Sequence, residues 1–598
     1  MPSREYESLD SATTGRRVHE ESSTSILVLL TVLASIGGLL FGYDTGIISG
    51  ALVMLDKDFY LNDVDRELIV SLTVIGALGS AAFGGYFGDH YGRKPVVIVS
   101  SITFTVGAVM MASAQSLGSL LLGRFVVGLG VGSASMIVPV YLAECAPSEH
   151  RGAMVTCMNV ALTFGQLISC VIAGVFSTTK EGWRYMLGIA AIPAIVQLLG
   201  VGLFLPESPR YLVQRGHIET GREALAKLRG TTYVNDEIRD IMTAVLDEQE
   251  AIIREMDGDC SDLAAAGKEE GGGETEDLTS TSNPMSVPLS WDNGDSRGRR
   301  DSDSGGDMSI STLEARLIRG RAAASRADPF QLLKKTKNYR ALLLGCMIQS
   351  ANQLGGINTV MYYGASIFTL AGASHVVAIW LSIGLAGCNF IGSLLGFRLT
   401  DKLGRRPLTM GSMFMVSISL MLIGCAFYFT QSARAHLASE PHNDENNIPP
   451  ALWVIFATVC MYLLCFASGM GCTPWTICSE IYPMSIRGLA TSITTSSNWT
   501  CNLLMSMTFL TLTTALTKHG AFFLYAVVSF GFVVFFYIYL PETRGVPLED
   551  TPQLFSDAMW GRQEGLYGRV LESEDNRHMC ESTSHEQLQS EPHAEKYE

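Results

Sequence analysis

Charge is scarce in this chain. Asp, Glu, Lys and Arg make up 17% of its 598 residues, against roughly 25% in average soluble domains. A chain of this length has room for several soluble domains, yet it lacks the charged surface they need. A single small soluble enzyme is excluded. A nucleic-acid binder is excluded too: 58 acidic residues face 42 basic ones, and no basic stripe tracks a phosphate backbone. None of the 13 cysteines forms a C-x-x-C pair, and no Cys/His group has zinc spacing. Most, such as Cys157, Cys170, Cys346 and Cys460, stand singly in apolar runs and read as small buried residues. The first two dozen residues hold no short apolar core with a cleavage site, so the first apolar run is expected to be an uncleaved anchor. Metal clusters, nucleophile elbows and phosphate loops are missing from the apolar runs, so neither an enzyme nor a cofactor is implied.

What is present is apolar length. A spanning helix needs about 20 mostly apolar residues, and about twelve candidates occur. Six lie at 25–55, 67–88, 95–114, 117–142, 152–176 and 184–205; six more lie at 339–370, 373–399, 408–430, 451–479, 488–515 and 519–540. Barrel-like alternation is absent, and Gly, Ala and Ser, which let membrane helices approach closely, are frequent. Residues 231–327 differ: Gly271-Gly272-Gly273, Ser/Thr runs and acids such as Glu269 and Asp277 read as a disordered insert. Arg299-Arg300-Asp301-Ser302 in it looks like a basic-directed phosphosite but reads by default as solvated linker. The expected fold is an all-α membrane protein. Its parts are a tail at 1–24, a six-helix half at 25–210, a connecting segment at 211–338, a second six-helix half at 339–545 and a tail at 546–598.

The positive-inside rule orients the bundle. Arg93, Lys94, Arg151, Arg405, Arg406 and Arg487 follow even-numbered spans, whereas the loop after span one is acidic. Both tails and the connecting segment are therefore expected to be cytoplasmic, with the plasma membrane as host. The one N-x-[ST] sequon, Asn498-Trp499-Thr500, lies in an apolar run and is not expected to carry a glycan.

The halves repeat each other. Asp89-His90-Tyr91-Gly92-Arg93-Lys94-Pro95 matches Asp401-Lys402-Leu403-Gly404-Arg405-Arg406-Pro407, 312 positions on. Glu144 precedes Arg151-Gly152 by seven positions, as Glu480 precedes Arg487-Gly488. Pro206-Glu207-Ser208-Pro209-Arg210 matches Pro541-Glu542-Thr543-Arg544-Gly545. Three motif pairs in one order, at matching places between spans, mark two homologous halves. Such halves rocking about a central site are a known transporter plan.

Two ionisable residues lie deep in apolar runs: Asp44 in span one and Arg124 in span four. Insertion scales place the cost of a charge at mid-membrane on the order of 2.5–3.5 kcal/mol, so such groups pair or line a wet cavity. A carboxylate beside a guanidinium stays ionised; parted from it in a dry site, it takes up a proton. A rearrangement that changes the pairing therefore binds or releases a proton. The alternative is a static ion pair that fixes helix packing. Amides are the second anomaly. A carboxamide both donates and accepts, which suits the hydroxyls of a polyol. Gln166, Gln349, Asn352, Gln353, Asn358, Asn389, Asn498 and Asn502 lie in apolar runs, with Trp475 and Trp499 as aromatic faces. Gly355-Gly356 predicts a break in span seven, and Tyr362 and Tyr363 beyond it are placed to gate the outer side. The plainer reading is that isolated amides bond neighbouring helices.

The paired D-x-x-G-R-[RK]-P loops and the two P-E-[ST] span ends resemble the sugar porter family of the major facilitator superfamily, over nearly all of the chain except the termini and 231–327. Within it, Phe41-Gly42-Tyr43-Asp44-Thr45-Gly46, Trp183-Arg184-Tyr185-Met186-Leu187-Gly188 and Gly356-Ile357-Asn358-Thr359-Val360-Met361-Tyr362-Tyr363 look like proton myo-inositol cotransporters. The resemblance implies substrate contacts at Gln166, Gln353, Asn358, Asn389, Trp475 and Asn502, with Phe41 and Asn352 lining the site. It implies proton coupling at Asp44, because facilitative carriers usually have Asn there; Arg124 tunes it. It implies a cytoplasmic charge clasp of Asp89, Arg93, Glu144, Arg151, Glu207, Arg210, Asp401, Arg405, Glu480 and Arg487. Two departures stand out: Asn352-Gln353 replaces a usual Gln-Gln pair, and Met470 and Cys472 replace two usual prolines. The function expected is proton-coupled symport of myo-inositol or a related sugar, with substrate, proton and lipid bilayer as the partners. A facilitative hexose carrier and a non-transporting sugar sensor are the alternatives.

Overall fold

The computed structural model describes residues 5–147, 150–231, 233–269, 310–324, 328–370, 375–437, 450–544, 546 and 551–556. The Arg299–Ser302 motif lies outside them. Lipid offers the backbone no hydrogen bonds, so each apolar run closes its own as a helix, and no strand occurs among the described residues. Among the described residues, ten stretches are long and apolar enough to cross a membrane: Ile26–Leu52, Val64–Tyr91, Arg93–Ala112, Leu117–Cys145, Arg151–Phe176, Gly182–Phe204, Trp380–Thr400, Arg405–Thr430, Leu452–Glu480 and His519–Tyr539. Spans seven and eleven complete the twelve. Span seven is two helices, Thr336–Leu354 and Ile357–Leu370, and span eleven is Arg487–Ala515. Span eleven falls short on hydropathy because of its Ser-Ile-Thr-Thr-Ser-Ser-Asn stretch, but Thr494, Thr495, Asn498, Trp499 and Asn502 are all buried in protein rather than facing lipid. Span ten is also interrupted, as Pro450–Ser468 and Thr473–Glu480.

Close packing without bulk sets the helix spacing around the centre. A Cβ at Gly42 in span one would fall 1.8 Å from the Leu162 carbonyl of span five, and one at Gly165 would fall 2.2 Å from that of Leu39. Spans one and five thus touch backbone to backbone.

Two compact units are present, one within Met1–Asn235 and Pro329–Glu598, the other within Asp236–Asp328. The first is the helical bundle. Within the segment expected to be an insert at 231–327, the second contains helices Asn235–Glu269 and Ile310–Ala324. Ile238, Ile241, Met242 and Val245 recur at helical spacing and are buried. The acidic average of the segment hides this stripe, since an amphipathic helix needs only one apolar face.

Candidate functional site

The break in span seven organises the centre. Gly356 has φ +89°, a conformation that favours glycine. The Gly355 carbonyl, freed from the helix ladder, accepts a 2.7 Å hydrogen bond from the Tyr462 hydroxyl of span ten. The break sets Gln349, Asn352 and Gln353 in the last turns of one helix and Asn358 in the first turn of the next. Their amides then meet. Gln353 Nε2 donates to Asn352 Oδ1 at 3.1 Å and to Asn498 Oδ1 at 3.0 Å, while Asn358 Nδ2 donates to Gln353 Oε1 at 2.6 Å. Asn352 Nδ2 donates to the Met470 carbonyl at 2.6 Å, and Asn498 Nδ2 to Gln349 Oε1 at 2.8 Å. From the other half, Gln166 Oε1 accepts from Asn389 Nδ2 at 2.7 Å.

Asn352, Gln353, Asn358, Gln166 and Asn389 face a narrow cavity, whose lining includes Phe41, Asn159, Thr163, Phe466 and Trp475 among others. A lining of apolar faces with convergent polar groups is typical of small-molecule sites. Seven of the eight residues expected at a substrate site line it. The eighth, Asn502, is fully buried outside that lining and interacts with Tyr362. Asn389 Oδ1 is unpaired among the described residues. Phe41 packs on Trp499 with centroids 5.1 Å apart, and Trp499 Nε1 donates to Ser135 Oγ at 3.2 Å, so Trp499 ties span eleven to the first half.

Asp44 follows Phe41 on span one by less than a turn. It pairs with Arg124, Nη1 to Oδ1 at 2.5 Å, and both are almost fully buried. Arg124 Nε donates to the Ile69 carbonyl at 2.9 Å, and Thr73 Oγ1 donates to the Arg124 carbonyl at 3.1 Å. The guanidinium is thereby anchored to span two, while the carboxylate rides on span one. Tyr362 stands close to this pair and to Thr45 and Asn502, between the ion pair and span eleven. The side chains of Tyr363 and Asp401 lie outside the described residues.

At one end of the bundle, each half builds the same device. Arg93 pairs with Glu144 at 2.9 Å and with Asp89 at 3.3 Å, and Ser208 Oγ donates to Glu144 Oε2 at 2.6 Å. In the second half Arg405 pairs with Glu480 at 3.2 Å, and Thr543 Oγ1 donates to Glu480 Oε2 at 2.8 Å. Span three begins after Gly92 with no side-chain cap of its own. Glu207 supplies one, accepting from the Arg93 and Lys94 amides at 3.0 and 3.2 Å. Burial pushes its carboxyl above the usual carboxylate range, against the pull of those amides. Glu542 does the same for the Arg405 and Arg406 amides at 2.9 and 3.1 Å. Arg210 is half-buried at the start of the next helix.

The halves also join here. Arg487 reaches Glu144 at 3.6 Å, Arg151 acts electrostatically on Glu480, and the Gly85 amide donates to Ser492 Oγ at 2.7 Å. Nine of the ten expected charges belong to or flank these clusters; Asp401 is not described. Ser208, Glu542 and Thr543 were legible in the span-end motifs but were not singled out. Asn159 and Thr163 were missed, although they share a face of span five with Gln166 at helical spacing.

Comparison with known proteins places the chain. Residues 30–262 and 298–555 match the family described as "Sugar (and other) transporter". The chain is 31% identical to the "Proton myo-inositol cotransporter" of Homo sapiens, covering 93% of this chain and 86% of that protein. It is also 31% identical to "Myo-inositol transporter 1" of Cryptococcus neoformans, covering 90% and 82%. Among solved structures, the major facilitator superfamily proton:xylose symporter XylE bound to 6-bromo-6-deoxy-D-glucose aligns with TM-score 0.66 and 25% identity, over 89% of this chain and 100% of that one. With its two six-helix halves and mirrored motifs, the chain belongs to the sugar (and other) transporter family and has the major facilitator fold.

Proposed function

We propose that the protein is a proton-coupled symporter that carries myo-inositol, or a closely related sugar or polyol, by alternating access. The observation that carries this reading is the buried Asp44–Arg124 pair, whose Asp44 stands on the helix that also lines the amide cavity through Phe41. Span one links the two sites through Phe41 and Asp44, so a movement of span one on substrate binding changes the Asp44–Arg124 separation. An ionised Asp44 is stable beside Arg124; drawn away from it, the carboxyl takes up a proton. The names of the two relatives above support the substrate and the coupling. Gln166, Gln353, Asn358, Asn389 and Asn502 are the hydrogen-bonding residues, Trp475 and Phe41 the faces for the ring, and Asn352 a support. Tyr362 and Tyr363 gate one side, and the charge clusters close the other.

The distribution of Lys and Arg supports a cytoplasmic location for that charged end, for both tails and for the connecting segment 211–338. The plasma membrane is the proposed host. The test is substrate-induced current in voltage-clamped cells expressing wild type or Asp44→Asn. Inward current that needs acid, prefers myo-inositol to glucose and vanishes in Asp44→Asn supports the reading. Tracer uptake by both forms that ignores pH would replace it with a facilitative carrier.

A further inference from the structure

We infer that Gln197 is a positioning residue for proton coupling: from span six it fixes span one, and with it Asp44, in register against Arg124. The inference rests on the proton-coupled reading proposed above. Gln197 lies in an apolar stretch of span six, outside the cavity lining, and is fully buried. Its Nε2 donates to the Ala34 carbonyl at 3.2 Å and reaches that of Leu33 at 3.4 Å, both on span one. The Ser101 hydroxyl of span three, shared with the Val97 carbonyl, donates to its Oε1 at 3.1 Å. A helix carbonyl keeps a second lone pair after closing its ladder bond, so span one loses no bond of its own in accepting these. Glycine at 37 leaves the room, since a Cβ there would lie 3.3 Å from Gln197 Nε2. Gly200 lets the two helices close, for its Cβ would fall 2.5 Å from the Leu33 side chain.

Span six holds span one at a second level, where Tyr43 Oη donates to the Met186 carbonyl at 2.6 Å. Ala34 and Tyr43 are about 14 Å apart along the helix, and two ties that far apart oppose a slide of span one along span six. Arg124 belongs to another group, because its bonds to Ile69 and Thr73 tie it to span two. The Asp44–Arg124 pair therefore bridges spans one and six on one side and spans two and four on the other. Asp44 parts from Arg124 when the two groups move as bodies, not by a slide of span one alone. With the Gln197 tie gone, span one shifts at less expense, and Asp44 leaves Arg124 and takes up a proton more readily. The charged and titratable groups acting at Asp44 among the described residues are Arg124, Tyr43 and Tyr362. Gln197 carries no charge and bonds none of them, so it acts on Asp44 through position alone.

The experiment is myo-inositol-induced current across a range of pH in voltage-clamped cells expressing wild type, Gln197→Met, Ser101→Ala and Asp44→Asn, with surface protein quantified. Gln197→Met keeps the length of the side chain and removes its bonds to span one. It is expected to move the pH of half-maximal current upward by about half a unit or more, the equivalent of one net hydrogen bond. KM for myo-inositol at saturating acid is expected to stay as in wild type, because Gln197 lies outside the cavity. Ser101→Ala removes only the hydroxyl that orients Oε1; it is expected to move the profile the same way by less, and it serves as the test where Gln197→Met fails to reach the surface. A profile superimposable on wild type in whichever of the two reaches the surface, or a fall in current equal at every pH, would overturn the inference and leave Gln197 a packing residue. If wild-type current needs acid and Asp44→Asn abolishes it while the Gln197→Met profile is unchanged, the inference alone falls. If wild-type transport ignores pH, the proton-coupled reading falls with it.

Discussion

Gln353 shows how much one side chain can organise. Its amide bonds Asn352, Asn498 and Asn358 together, so it orients the groups of both pieces of span seven and of span eleven at once. Gln353→Leu keeps the size and removes every bond. Asn358 Nδ2 and Asn498 Oδ1 then lose partners, at about 1–3 kcal/mol for each buried group left unsatisfied. The expected outcome is a rise in KM of at least about 10-fold, read by tracer uptake, with surface expression retained because the centre is a cavity and not a core. A KM within twofold of wild type would show that substrate never relies on this hub. The hub was readable from sequence because an amide in an apolar run is conspicuous against its neighbours. Asn159 is an amide in an apolar run as well, but it matches none of the quoted motifs. Only its register with Gln166 on one face of span five sets it apart. The resemblance implies a contact at Asn502, yet Asn502 is fully buried outside the cavity lining, and motif position alone does not encode side-chain direction.

At the scale of elements, the helix starts after the two Gly-Arg loops explain why the span-end motifs carry a glutamate. Gly92 and Gly404 have φ +105° and +92°, and a Cβ at either would strike the capping carboxylate, Glu207 or Glu542, at 2.4 or 2.6 Å. Glycine makes the turn and leaves the space; the glutamate from the end of span six or twelve fills it and takes the free amides. Glu207→Ala is expected to destabilise the start of span three by about 1 kcal/mol, as loss of a cap does. Glu207→Gln is expected to do little, since its amide oxygen still accepts from Arg93 and Lys94 and burial already disfavours the charge. Thermal unfolding of the detergent-solubilised protein checks this, and equal losses in the two variants would mean that charge rather than the cap matters. A second test lies in span seven. Gly356→Ala forces an L-residue into a left-handed conformation, about 1–2 kcal/mol unfavourable; it is expected to lower the melting temperature and to disturb transport more than Gly355→Ala, whose site has an ordinary helical φ. Most elements were legible, because apolar runs in lipid have one solution. Span eleven was legible by length and not by hydropathy, since it is buried between neighbours. The helix Asn235–Glu269 was not legible from composition, because averaging over a charged segment erases a one-sided stripe.

The whole molecule is held closed at its charged end by contacts that exist only while the halves are together. Arg487 reaches across to Glu144, and Gly488 packs so tightly on Asp89 that a Cβ would lie 1.9 Å from its carboxylate. Arg93, in contrast, pairs with Glu144 inside its own half and stays paired when the halves part. The two arginines therefore separate folding from gating. Arg93→Ala leaves a fully buried Glu144 with one fewer partner and is expected to be destabilising by about 3–5 kcal/mol, seen as loss of surface protein. Gly488→Ala and Arg487→Ala affect mainly the closed state. Overpacking of the first kind amounts to about 1–3 kcal/mol, which moves a two-state equilibrium roughly 5- to 150-fold toward the form open at this end. The expected sign is faster hydrogen exchange in spans two and eleven near Gly85 and Ser492, in a protein of normal thermal stability. Substrate should slow the exchange only in part, because the cavity keeps its lining when the end opens. Exchange unchanged in both variants would mean that these contacts seal the end without setting its equilibrium, and the charge clusters would then act in topology and helix capping alone.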